Sequence, residues 1–175
     1  MESFGRINKP NIRKATKEDA TFIWKLLQDG INKRKEEGST QWQDGYPNEL
    51  IVKEDINSGF AYVVLNEEEK IVAYFSLMFD LEPAYEAIEG KWLSNIPYAV
   101  IHRLVTNQRE KIKGLAEFIL IYIESLVQQN DVYSIKVDTN FDNAPMLYLF
   151  NKLGYVYCGE VYFRGSARKA FQKLL

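Results

Sequence analysis

The run from Ile71 to Phe79 is apolar at every position except Ser76. A strand with one wet face alternates apolar and polar residues, so this run predicts a central strand covered on both faces. A second run, Phe60 to Leu65, precedes it across the acidic turn Asn66-Glu67-Glu68-Glu69-Lys70, the arrangement of a strand hairpin. A sheet built on such a strand needs helices laid against it, and the flanking segments supply amphipathic candidates.

Asn11 to Ala15 reads as a short strand, followed by Thr16 as a helix N-cap with Glu18 and Asp19 in the first turn. Ala20, Ile23, Trp24, Leu27 and Ile31 then recur at helical spacing, and Lys33 to Gly38 end that helix in charge and glycine. Past the loop Ser39 to Asn48, a second short helix is expected from Glu49 to Ile56. Asp80 to Pro97 shows no clear period. Tyr98 to Thr106 reads as a strand, and Gly114 to Val127 carries Leu115, Phe118, Ile119, Tyr122 and Leu126 on one helical face. Tyr133, Ile135 and Val137 alternate as a further strand, so this strand-helix-strand unit suits a parallel crossover. Asn143 to Leu153 forms another helix before Gly154, and Tyr155 to Phe163 with Arg168 to Leu174 makes a closing hairpin around Arg164-Gly165-Ser166.

Composition narrows what such a chain can do. Its 175 residues suit one domain spanning 1–175, without internal repeats. One histidine (His102) and one cysteine (Cys158) exclude an intrachain disulfide and a structural zinc site, so no metal is expected. A net charge of −2 argues against general nucleic-acid binding, which needs a basic surface. Met1 to Asn11 is polar and unlike a secretory signal, and the longest apolar stretch, Phe118 to Val127, is broken by Glu124. No membrane partner is expected, and a lone cysteine suits a reducing cytoplasm.

The glycines never fall two residues apart, so no glycine-paired dinucleotide loop exists, and no G-x-x-x-x-G-K-[ST] is present. Lys111-Ile112-Lys113-Gly114-Leu115-Ala116 instead lies where a strand turns into a helix. Such a junction offers unpaired backbone N–H groups at the positive end of a helix dipole, and two lysines add charge, which suits a phosphate or pyrophosphate.

Lys111-x-x-Gly114-x-Ala116 follows the strand Ile101-His102-Arg103-Leu104-Val105-Thr106 and is followed later by Asn143 and Leu149-Phe150-Asn151-Lys152-Leu153-Gly154-Tyr155. Together these blocks resemble the GCN5-related N-acetyltransferase (GNAT) superfamily, with its [Q/R]-x-x-G-x-[G/A] signature and its Asn before an "LYEKLGF"-like stretch. The resemblance is strong from Tyr98 to Tyr157 and looser before it. It implies an α/β fold: a mixed, mostly antiparallel sheet of about six to seven strands with helices on both faces. It also implies acetyl-CoA as co-substrate, with backbone groups of Leu104, Val105 and Thr106 on the pantetheine arm. The N–H groups of Lys111, Ile112, Lys113, Gly114, Leu115 and Ala116 would take the pyrophosphate, and Asn143 the cofactor arm. The implied reaction is acyl transfer to a primary amine of a small molecule or peptide.

Two positions depart from the family pattern. Lys111 replaces the usual Gln or Arg, and Phe150 replaces the Tyr that many members use to protonate the leaving thiolate. Neutralising an alkylamine of pKa about 10.4 at pH 7 costs about 4.6 kcal/mol, against about 2 kcal/mol to release a thiolate of pKa about 8.5. Removing the amine's proton is the larger task. Glu82, Asp80 and Asp138 are candidate bases, with Glu82 preferred because it follows the central strand; Asp138 is expected to cap or turn the end of its own strand. His102 reads as a hydrogen-bonded strand residue and Cys158 as packing. The loop Gln41 to Pro47 either lines an acceptor pocket or plugs the first helices with Trp42 and Tyr46. Phe150 also leaves open a non-catalytic acyl-CoA-binding or regulatory module, and the 24 aromatics an interaction domain that binds no CoA. The closing hairpin offers an edge strand through which a homodimer could form.

Overall fold

A computed structural model describes residues 10–175, so the reading of the polar N-terminus lies mostly outside the described residues. The strands are β1 (Asn11–Lys14), β2 (Ala61–Leu65), β3 (Ile71–Met78), β4 (Glu89–Gly90), β5 (Ala99–Thr106), β6 (Ser134–Thr139), β7 (Val156–Phe163) and β8 (Ser166–Leu174). The helices are α1 (Ala20–Glu36), α2 (Glu49–Asn57), α3 (Pro83–Glu86), α4 (Leu115–Gln129) and α5 (Ala144–Lys152). The strands form one sheet in the order β1-β2-β3-β5-β6-β8-β7-β4. β5 and β6 pair in parallel and the other described pairs are antiparallel, so the mixed, mostly antiparallel α/β architecture is as expected. The eighth strand, β4, has two residues, too few for any sequence period to reveal. The chain falls into two compact units: residues up to Ser76 with Arg103–Ile112, and Leu77–His102 with Lys113–Leu175.

In the first unit, β3 is buried from Val72 through Ser76, as its unbroken apolar run requires. Tyr62 of β2 stands opposite Phe75 of β3, and their rings stack at 5.1 Å. The core joins Ile23, Leu26 and Leu27 of α1 and Val52 of α2 to Ala61, Val63, Leu65, Tyr74 and Val105. Thr16 and Asp19 form a capping box at the 3-10 turn that opens α1. Trp42 packs against this core, its ring 3.2 Å from where a Cβ on Gly30 would lie. The loop from Gln41 to Pro47 therefore plugs the helices through Trp42.

In the second unit, β5 and β6 pair at Ala99↔Ile135 and Val100↔Lys136, with α4 as the crossover. The second core cluster gathers Tyr85, Tyr98, Val100, Val161 and Ala170. The alternation expected across Tyr133, Ile135 and Val137 does not hold. Ser134, Ile135, Lys136 and Val137 are all buried, because β6 lies between β5 and β8 and is covered on both faces. Lys136 is accommodated by placing its Nζ 3.9 Å from the Tyr98 ring centroid and 4.4 Å from that of Trp92. Gly90 and Gly159 face each other where β4 meets β7.

Candidate active site

Glu82 follows β3 and N-caps α3, with Pro83 at the first helical position, where a missing N–H costs nothing. One carboxylate oxygen, Oε1, accepts from the Ala84 N–H at 3.3 Å. The other, Oε2, lies 3.0 Å from Nε2 of His102 in β5. Both side chains are mostly enclosed, at 15% and 14% exposure. Against an ionised Glu82, which only accepts, Nε2 would be the donor, and the imidazole lone pair would then lie on Nδ1. Phe163 meets the imidazole edge-on at 6.0 Å, and the Tyr85 ring lies 6.2 Å away.

The Tyr85 hydroxyl donates to Asp138 Oδ1 at 2.5 Å. Asp138 is the penultimate residue of β6, and its carboxylate is engaged by this hydrogen bond from the α3 segment. Desolvation raises its carboxyl above the ordinary range, against the opposing pull of His102 and the Tyr85 bond. Desolvation likewise pushes the Tyr85 phenol well up, which keeps it a neutral donor. Tyr98 closes the group: its hydroxyl accepts from the Glu82 N–H at 3.2 Å and donates to Glu86 at 3.0 Å. Asp80 stays exposed beyond β3. Cys158 is buried, its thiol pushed up by desolvation, which leaves it a packing residue.

Arg103, the residue after His102, has φ 55, a left-handed conformation that costs a non-glycine residue about 1–2 kcal/mol. Its guanidinium grips Asp55 of α2 with two bonds, Nε–Oδ2 at 2.9 Å and Nη2–Oδ1 at 2.7 Å. Ser76 Oγ accepts from Nη2 at 3.2 Å, the Tyr46 hydroxyl accepts from Nη1, and Tyr74 donates to Asp55. Both charges are buried, with 7% and 4% of their side chains exposed. Beyond Arg103, Val105 is buried while Leu104 and Thr106 are half-buried, and the Thr106 carbonyl accepts from Gln108 Nε2 at 2.8 Å.

Gly114 is the N-cap of α4 at φ 77, which explains glycine there: a Cβ would meet nothing within 4 Å, but the backbone is left-handed. As a glycine, Gly114 offers no side-chain cap to this 15-residue helix. Lys111 and Lys113 are exposed, Ile112 and Ala116 half-buried, and Leu115 buried. Asn143 caps α5, its Oδ1 accepting from the Met146 N–H at 3.4 Å. Phe150 is a core residue, its ring 5.3 Å from Tyr155 and 5.2 Å from Phe171. Tyr148 is exposed.

Glu82 and His102 belong to separate elements of the sequence, and the fold brings them together. No local pattern joins residues twenty apart. Nor does any sequence signal mark the left-handed Arg103 or its Asp55 partner. Among the described residues, no group of three or more His, Cys, Asp or Glu side chains could hold a metal ion, and no helix is long and apolar enough to cross a membrane.

Residues 24–155 match the family model described as acetyltransferase (GNAT) family. A GNAT-family acetyltransferase from Streptococcus agalactiae is 32% identical, with 97% of each chain covered and a TM-score of 0.85. A GNAT-family acetyltransferase from Listeria monocytogenes shares the fold at 20% identity, 95% coverage of each chain and a TM-score of 0.77. Comparison with curated proteins gives no match. The chain belongs to the acetyltransferase (GNAT) family and is an enzyme of the N-acetyltransferase class.

Proposed function

We propose that the chain, acting as one domain over residues 1–175, transfers the acetyl group of acetyl-CoA to a primary amine of a small molecule or peptide. The observation that carries the donor assignment is Gly114: a left-handed N-cap without a side-chain cap, opening a long helix that is the next element after β5, within the family's signature. The N–H groups of Lys111 to Ala116 would take the pyrophosphate, aided by the exposed lysines. Backbone groups of Leu104, Val105 and Thr106 would pair with the pantetheine arm, and Asn143 would contact it from the start of α5.

The acceptor arrives as an ammonium and must lose a proton before its nitrogen can attack. The Glu82–His102 pair is the proposed proton acceptor: Glu82 holds the imidazole, and Nδ1 offers the lone pair. Attack forms the C–N bond, and the C–S bond breaks with its electron pair leaving on sulfur. The second proton shed by the amine nitrogen passes to the departing thiolate, giving the amide and the free thiol. A thiolate is a tolerable leaving group at neutral pH, so Phe150 does not forbid the reaction.

A thermal-shift titration tests the donor. Acetyl-CoA at 100 times its dissociation constant should stabilise the native protein by about 2.7 kcal/mol, and Gly114→Val should abolish the shift. No shift in the native protein, or an equal shift in Gly114→Val, would overturn the assignment. The buried Phe150 favours a second reading, a module that binds acyl-CoA without transfer, which predicts the same shift but no turnover.

A further inference from the structure

Arg103 is held in an unfavourable backbone conformation by a network from three other segments: Asp55 of α2, Tyr46 of the loop before it, and Ser76 of β3. Tyr74 of β3 completes it by donating to Asp55. A residue kept left-handed in a strand needs its surroundings to over-determine it, and such residues concentrate where backbone geometry serves a task. The three residues that follow Arg103 in β5 are Leu104, Val105 and Thr106, whose backbone the functional reading assigns to the donor.

We propose that the Arg103–Asp55 pair is a positioning device for the donor: it fixes the left-handed backbone of Arg103 in β5, which orients the Leu104–Thr106 backbone before acetyl-CoA binds. The inference rests on the assignment of that backbone to the donor. Arg103 and Asp55 are positioning residues, since their charged groups are consumed by each other and by the surrounding hydroxyls. A planar guanidinium meeting a carboxylate through two bonds fixes an orientation that a point charge cannot, so lysine should not substitute for Arg103.

The test uses the full chain with Arg103→Leu and Asp55→Asn combined. Removing both charges avoids an unpaired buried ion, and the carboxamide oxygen introduced by Asp55→Asn can still accept from Tyr74. Amide hydrogen exchange at Leu104, Val105 and Thr106 in the ligand-free protein should accelerate about tenfold, while amides of β8 stay as protected as in the native protein. The KM for acetyl-CoA should rise about tenfold with kcat changed less than about threefold. A companion double variant, Arg103→Gly with Asp55→Asn, should recover much of the loss in KM, because glycine takes the left-handed conformation unaided. Unchanged exchange at the three amides would overturn the inference, as would equal KM values in native and Arg103→Leu/Asp55→Asn proteins. If that variant does not fold, Tyr46→Phe removes one partner and leaves the ion pair. It should then show a smaller acceleration at the same amides, and no acceleration would overturn the inference. A native protein that binds no acetyl-CoA would overturn the donor assignment and the pair's purpose with it, whereas unchanged exchange in a protein that does bind acetyl-CoA would overturn the positioning role alone.

Discussion

Glu82 Oε2 lies 3.0 Å from His102 Nε2, a contact between the cap of a four-residue helix and a strand. Two residues that look unrelated in sequence thereby come into hydrogen-bond contact, walled by Tyr85 and Phe163. If the pair takes the acceptor's proton, Glu82→Gln and His102→Gln should each lower kcat by about 10²–10⁴-fold. Acetyl-CoA binding, measured by calorimetry, should stay within about threefold of native. A Glu82→Gln enzyme with native kcat would remove Glu82 from the proton path.

Asp138 should make stability fall as pH rises. Its folded carboxyl is raised by desolvation, so between the ordinary aspartate range and that raised value the folded chain holds a proton the unfolded chain has lost. Asp138→Asn keeps an acceptor for Tyr85 and removes the titration. Its melting temperature relative to native should therefore climb as pH rises above the ordinary aspartate range. A difference independent of pH would contradict the assignment.

Asp19 should behave in the opposite sense. Its hydrogen bond from Arg13, with the Thr16 N–H contributing, lowers its carboxyl below the ordinary value. That stabilisation is complete above the unfolded aspartate pKa and is lost as pH falls through the folded one. Arg13 is 40% exposed, so solvent screens the pair. Asp19→Asn should cost about 1 kcal/mol near pH 7 and progressively less in acid, as urea denaturation would report.

Gly159 should tolerate no side chain. A Cβ there would stand 2.2 Å from the Glu89 carbonyl oxygen, and its φ of +141° already disfavours other residues. Gly159→Ala should destabilise the protein by about 3 kcal/mol or release β4 from β7. Thermal melting with amide exchange at Lys91, whose N–H donates to the Cys158 carbonyl, would reveal either; native values would refute the close approach.

Legibility in the sequence followed how local each signal is. β3 announced itself because burial on both faces removes every polar position but Ser76. The hairpin of β2 and β3, the α4 crossover and the helix after Asn143 were equally visible, since each depends on neighbouring residues. The segment holding α3 and β4 was not, because elements of four and two residues complete no period. The alternation read across Tyr133, Ile135 and Val137 failed for a different reason: Lys136 between them is buried, its charge housed by the aromatic faces of Trp92 and Tyr98. The pairings of Glu82 with His102 and of Asp55 with Arg103 arise only when distant segments meet.

Acyl transfer through the Glu82–His102 pair is decided by thiol release from acetyl-CoA, with and without a panel of primary amines, using native protein and Glu82→Gln. Native protein should release thiol only when an amine is present, and Glu82→Gln should lose about 10²-fold or more of that rate. Acetyl-CoA binding without amine-dependent release from any member of the panel would contradict it.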